Sequence, residues 1–117
     1  MVPSEAFFRK LKEDGVLSGG QGETAENAVV IYTRSSKIGI AAEYAYVEQI
    51  CGERDVDWKL QRQSLLTGEE EGGKAFDLLE VELKDGRKKE FWFDITAFYG
   101  WEMVELFEDY LKKKKGK

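Results

Sequence analysis

Apolar residues recur at alternate positions in two neighbouring segments, 74–84 and 87–96, and charged residues separate most of them. The apolar set is Leu79, Val81, Leu83, Phe91, Phe93 and Ile95. A period of two is typical of strands that pack one face against a core. We therefore predict an antiparallel hairpin over 74–96, and its apolar face limits where the rest of the chain can pack.

The length of the turn decides which residues of the hairpin share a face. A two-residue turn at Asp85-Gly86 would oppose Val81 with Glu90, although directly opposed residues must lie on one face. A three-residue turn, Lys84-Asp85-Gly86, restores agreement if Gly86 closes it in the left-handed region. The opposed pairs are then Leu79 with Phe91, Leu78 with Trp92, Glu82 with Lys88 and Glu80 with Glu90.

The same register places Phe76, Leu78 and Trp92 together on the second face of the hairpin, away from the turn. That face is therefore apolar where a two-layer fold would expose it to water. Either another part of the chain covers it, or it is a surface for a partner or for a second copy of the chain.

Length and composition indicate one domain, residues 1–117, that can bury its own core. A hydrophobic content of 42% with 35% charged residues excludes disorder, and no apolar run reaches membrane-spanning length. The amino end carries charges where a signal peptide is apolar. The only cysteine, Cys51, rules out an internal disulfide and fits a reducing compartment. We therefore expect a cytoplasmic protein that is not bound to a membrane.

The charge distribution argues against nucleic-acid binding. The formal net charge is −5, and five of the 18 basic residues lie in 112–117. The remaining 13 face 23 acids, so the rest of the chain carries −10. Such an acidic body does not suit contact with phosphates of a nucleic-acid backbone.

The remaining patterns predict an α+β domain in the order helix, strand, helix, three strands, helix. Its four-stranded, mainly antiparallel sheet carries the helices chiefly on one face. Segment 37–51 fits a helix or a strand, and its length and alanine content favour the helix. The other segments are a helix over 4–14, a mobile loop over 18–26, strands over 28–32 and 58–66, and a helix over 100–114. In 58–66 the pattern puts Trp58, Leu60, Ser64 and Leu66 on one side, interrupted by Arg62.

Several kinds of chemistry are excluded by residue type. Histidine is absent, so the usual general base and the commonest metal ligand are missing, and we expect no metal site and no cofactor. No serine has a lysine three residues further on. Glycine-rich segments 20–25 and 68–75 imitate nucleotide-binding loops without the required strand–helix context. Carboxylates such as Glu43, Asp57, Asp94 and Glu102 could act in pairs, but their spacing selects none. The residues favour a non-enzymatic protein.

The leading hypothesis is an adaptor, inhibitor or accessory subunit that binds a protein partner or a second copy of itself. Aromatic residues and arginine dominate such interfaces. The predicted contact residues are Phe76, Leu78, Trp92, Tyr99, Trp101 and Arg62.

Two alternatives belong to other classes. A small-molecule pocket, binding or carboxylate-catalytic, could lie between sheet and helices. Its expected lining is Tyr44, Tyr46, Phe93 and Arg62, with Asp94 or Glu43 as the polar group. The acidic body would also suit a mimic of nucleic acid that binds a basic partner.

Overall fold

A computed structural model describes residues 5–100 and 111–112 of the chain. Their elements, in chain order, are α1 (Glu5–Glu13), β1 (Leu17–Gly19), β2 (Val29–Ile31), α2 (Ser36–Cys51), β3 (Trp58–Leu66), a short 3-10 turn (Glu69–Glu71), β4 (Phe76–Leu83) and β5 (Lys88–Asp94). The predicted α+β class is confirmed. The predicted helix over 100–114 lies almost entirely outside the described residues.

The sheet has five strands in the order β1-β2-β5-β4-β3, so the prediction of four mainly antiparallel strands is wrong. β1 lies where a loop was expected, and β2 runs parallel to β5 while all other neighbours are antiparallel. β1 is only Leu-Ser-Gly, too short to show a period. It forms because its backbone pairs with β2, and sequence pattern does not report such pairing.

The β4–β5 hairpin has the predicted register. Leu79 pairs with Phe91, Leu78 with Trp92 and Glu82 with Lys88. Leu83 N donates to Arg87 O at 2.7 Å, and Gly86, with φ of 90°, closes the three-residue turn. The requirement that directly opposed residues share a face therefore predicted the turn length correctly from side-chain chemistry alone.

A bulge in β3 corrects the predicted sides of that strand. Leu60 pairs with Val81, but the register shifts so that Arg62 pairs with Glu80 and Ser64 with Leu78. Leu60 therefore shares a face with Val81, whereas Arg62 and Ser64 lie on the opposite face. The extra residue in the bulge explains why an arginine seemed to interrupt an apolar side.

Both described helices cover the sheet face that carries Phe91 and Phe93. The ring of Tyr46 in α2 stands edge-on to both phenylalanines, with ring centroids 6.1 and 5.8 Å apart. Phe8 of α1 packs on the other side of Tyr46, at 6.2 Å. We call this sheet face the helix face and its reverse the second face. None of the helices in the described residues combines the length and apolar character that crossing a bilayer requires.

The prediction of a helix over 37–51 is confirmed by α2, which spans Ser36–Cys51 and is capped at both ends. The Ser35 hydroxyl accepts a hydrogen bond from Ile38 N at 3.2 Å, and Gly52 N donates to Glu48 O at 2.9 Å. The buried side of α2 carries Ala42, Glu43 and Val47. Ile40 is 48% exposed, while Glu43 is 1% exposed and faces the sheet.

The core lies between α2 and the central strands. Its most enclosed side chains are Trp58, Phe91, Phe93, Ile31, Leu79, Glu43, Val29, Val47 and Val81. Trp58 also joins the end of α2 to the start of β3, since its Nε1 donates to Gly52 O at 2.8 Å. One member of this set, Glu43, is a carboxylic acid.

Candidate functional sites

Three of the predicted contact residues meet on the second face, as the register requires. Phe76 and Leu78 are 5% and 9% exposed, and Trp92 is half-buried. The rings of Phe76 and Trp92 are 6.1 Å apart and nearly perpendicular. The indole Nε1 of Trp92 reaches the Glu90 carboxylate at 3.4 Å. Trp92 is thus the most accessible of the three.

The other predicted contact residues are more exposed or lie elsewhere. The Arg62 side chain is 75% exposed, and its Nε lies 3.8 Å from a Glu80 carboxylate oxygen on the same face. Tyr99 follows β5 and is 47% exposed. Trp101 is outside the described residues. A binding role for this set stays a prediction.

β3 forms one edge of the sheet. On its outer side Trp58 O accepts from Asp55 N at 2.7 Å, and beyond Trp58 the outer backbone has no strand partner among the described residues. The strand is nine residues long, whereas β1 at the opposite edge has three. Leu65 of β3 is 53% exposed. An open strand of this length is a template for pairing with another chain.

The residues expected to line a small-molecule pocket do not form one. Tyr46 and Phe93 pack directly against each other on the helix face. Arg62 and Asp94 lie on the second face, since they pair with Glu80 and Phe76. Tyr44 stacks on Trp58 near the end of α2, at 6.4 Å. The sheet therefore separates the proposed lining.

A buried acidic pair occupies the space between α2 and β4. Glu43 and Asp77 are 1% and 5% exposed. Gln63 of β3 donates through Nε2 to both Asp77 carboxylate oxygens, at 3.1 and 2.9 Å. Among the described residues, neither Glu43 oxygen makes a hydrogen bond. Asp77 is thus held by an amide, whereas the carboxyl of Glu43 lacks such a donor.

Burial raises the pKa of Glu43 to about 10, and the neighbouring Asp77 carboxyl adds to this effect. Glu43 is therefore protonated at neutral pH, which avoids placing two negative charges in the core. A carboxyl group whose pKa is raised by burial can serve as the general acid of an enzyme. Both side chains are almost fully enclosed here, however, so substrate cannot reach them in this conformation.

Sequence reasoning missed Asp77 and Gln63 as members of a site. The sequence did contain a signal for Asp77, because alternate strand residues share a face and Asp77 therefore lies on the apolar face of β4 with Leu79 and Val81. Gln63 could not be found in this way, since the β3 bulge moves it to the sheet face opposite to the one that simple alternation predicts. Glu43 was named among the candidate carboxylates, without its partner.

Neither glycine-rich segment has the backbone arrangement of a nucleotide-binding loop. Segment 20–25 connects β1 to β2, and amides within it are already engaged. Gly20 N and Gly22 N donate to Ala28 O and Asn27 O at 3.0 and 2.7 Å. A further contact ties the segment to the sheet, because Gly22 O accepts from Trp92 N at 2.7 Å. This segment is therefore anchored, contrary to the expectation of a mobile loop.

Segment 68–75 leads into β4 and not into a helix. Among the described residues, no group of three or more acidic, cysteine or histidine side chains is placed to hold a metal ion.

Together these features define an α+β domain with a long open sheet edge and a buried acidic pair. No family model matches the chain, and neither the curated proteins nor the solved structures contain a match.

Proposed function

We propose that this chain is a small non-enzymatic interaction domain that pairs with a second copy of itself along β3. The observation that carries the proposal is the outer edge of β3, which is open beyond Trp58 and carries the exposed Leu65. Strand addition at such an edge supplies backbone hydrogen bonds, and side chains beside it select the partner.

The charges on and after β3 favour a second copy as that partner. β3 carries Lys59 and Arg62 and no acid, although the body of the chain is strongly acidic. The acidic turn that includes Glu70 and Glu71 follows β3 directly. Antiparallel pairing of two β3 edges lays the basic first half of each strand beside the end of its partner strand, where the acidic turn follows. A two-fold axis therefore brings the basic start of each strand to the acidic turn of its partner.

The bulge and the two basic residues also explain why the edge does not pair indiscriminately. Bulges and edge lysines are common protection against aggregation. Here they lie in the first half of β3, with the bulge between Leu60 and Arg62, and leave Gln63–Leu66 regular. A partner must offer negative charge to the first half, which the acidic turn of a second copy does.

Two variants with reversed charges on opposite sides of the interface test this pairing. Sedimentation equilibrium of the wild type at low ionic strength is expected to show dimers. Lys59→Glu/Arg62→Glu and Glu70→Lys/Glu71→Lys should each weaken self-association by about tenfold or more, since attraction becomes repulsion. An equimolar mixture of the two variants should recover association, because opposite charges again meet across the axis.

Matched variants distinguish the β3 interface from a contact elsewhere on the surface. Lys10→Glu/Lys37→Glu makes the same change of charge on the helices and should leave association unaltered. A monomeric wild type across the accessible concentrations, or no recovery in the mixture, would rule out the β3 pairing. If Trp92→Ala dissociates the dimer while the charge variants do not, the contact is the aromatic second face that the sequence predicts.

A further inference from the structure

A cavity of about 610 Å³ lies between the end of α2 and the β4–β5 turn, away from the open β3 edge. Its lining residues are Ile50, Cys51, Asp57, Leu83, Lys84, Asp85, Arg87, Lys88 and Lys89. Four of these nine residues are cationic, on a chain whose formal net charge is −5. The local charge of the cavity therefore opposes that of the whole molecule.

The two acids of the cavity are already engaged. Asp85 accepts from Arg87 Nε at 2.7 Å and from Arg87 N at 3.1 Å, which neutralises the one arginine of the lining. The Asp57 carboxylate accepts from Glu53 N at 2.8 Å. Among the described residues, no carboxylate lies within salt-bridge distance of the lysines at 84, 88 and 89. Lys89 pairs with Val81 and lies on the helix face, whereas Lys88 pairs with Glu82 and lies on the second face. Two lysines without an acidic partner, Lys84 and Lys89, thus remain to face a ligand in the cavity.

The remaining wall of the cavity is apolar. Ile50 is 49% exposed at the last turn of α2, and Leu83 and the Cys51 thiol are half-buried. Burial raises the pKa of this thiol, while the positive charge of Lys89 opposes the rise. Lys89 and Cys51 both line the cavity, so the cysteine can report whether the cavity is occupied.

We propose that this cavity binds small organic phosphates, with the phosphate between Lys84 and Lys89 and the apolar part against Ile50 and Leu83. Lysine presents a compact charge that suits phosphate, and two such charges favour a multiply charged anion over a monocarboxylate. The site is independent of the β3 pairing, because none of its lining residues belongs to β3 or to the acidic turn.

Titration with two defined probes tests the site. Phenyl phosphate and inorganic pyrophosphate should each shift the amide resonances of Leu83–Lys89 and Ile50–Cys51 in the wild type at low ionic strength. Both should also slow the reaction of Cys51 with a thiol reagent. Lys84→Gln/Lys89→Gln should weaken binding by about tenfold, since two charge-assisted contacts are lost.

The control variant Lys10→Gln/Lys37→Gln removes equal charge from α1 and from the far end of α2, and it should bind both probes as the wild type does. Tighter binding of phenyl phosphate than of inorganic phosphate would support the apolar wall. Equal weakening in both lysine variants would show a diffuse charge effect and overturn the site. Absence of localised shifts with either probe would overturn it as well.

Discussion

At the scale of single residues, Glu43 is the side chain least suited to its surroundings, because its ionisable carboxyl is buried. It is enclosed among core residues, and neither of its oxygens makes a hydrogen bond among the described residues. An ionised carboxylate there would be strongly unfavourable beside Asp77. Protonation is therefore a requirement of the packing, and it makes stability depend on pH.

Replacing Glu43 with glutamine should remove this pH dependence. The pKa is raised from 4.5 to about 10 on folding, so the folded state holds a proton that the unfolded state loses above pH 4.5. The free energy of unfolding of the wild type should fall by up to about 1.4 kcal/mol per pH unit across that window. Glutamine is neutral at every pH, so the contribution of this position in Glu43→Gln should be constant.

Urea denaturation at pH 5, 7 and 9 measures the difference. The stability of Glu43→Gln relative to the wild type should rise with pH, whereas Glu13→Gln on exposed α1 should follow the wild type. Parallel curves for the wild type and Glu43→Gln would mean that Glu43 is ionised or solvated in the folded protein.

At the scale of elements, the β4–β5 hairpin shows how one turn residue holds a whole register. Gly86 has φ of 90° and no atom within 4 Å of the place where a side chain would begin. A substitution there therefore adds backbone strain without any steric clash. The strain opposes the three-residue turn that places Leu79 and Phe91 on the helix face.

Gly86→Ala should accordingly lower the free energy of unfolding by about 1–2 kcal/mol. Gly86→Asn should lower it less, since asparagine tolerates the left-handed region better. The shift of the urea midpoint with an unchanged slope measures both effects. If alanine and asparagine were equally harmless, the turn would not require a left-handed residue.

At the scale of the whole molecule, the order of the strands sets which parts of the sheet open most easily. β2, β5 and β4 each have neighbours on both sides, while β1 and β3 have one described neighbour each. Phe91 and Phe93 on β5 are also among the most enclosed side chains. Local opening should therefore begin at the edges and leave the centre for global unfolding.

Native-state hydrogen exchange at low protein concentration should show this gradient. Amides of β5 and β4 are expected to exchange slowest, and those of β1 and the outward-facing amides of β3 fastest. Raising the concentration should protect the β3 amides selectively if two copies pair along that edge. Protection of β3 equal to that of β5 in the monomer would contradict the observed strand order.

The sequence determined what depends on neighbours along the chain. Alternation identified β4 and β5, face parity identified the three-residue turn at Gly86, and length with alanine content favoured the helix α2. The lack of histidine likewise excluded histidine chemistry whatever the fold. These inferences hold because backbone period, turn geometry and side-chain chemistry are local properties.

Tertiary structure alone decided what depends on contacts between distant segments. Backbone hydrogen bonds between separate segments produce the pairing of β1, the parallel contact of β2 with β5 and the bulge in β3. Such hydrogen bonds leave no periodic pattern in the amino-acid sequence. The packing of α2, β4 and β3 against one another brings together Glu43, Asp77 and Gln63. Burial, and the pKa of Glu43 with it, belongs to that packing and to no single stretch of the chain.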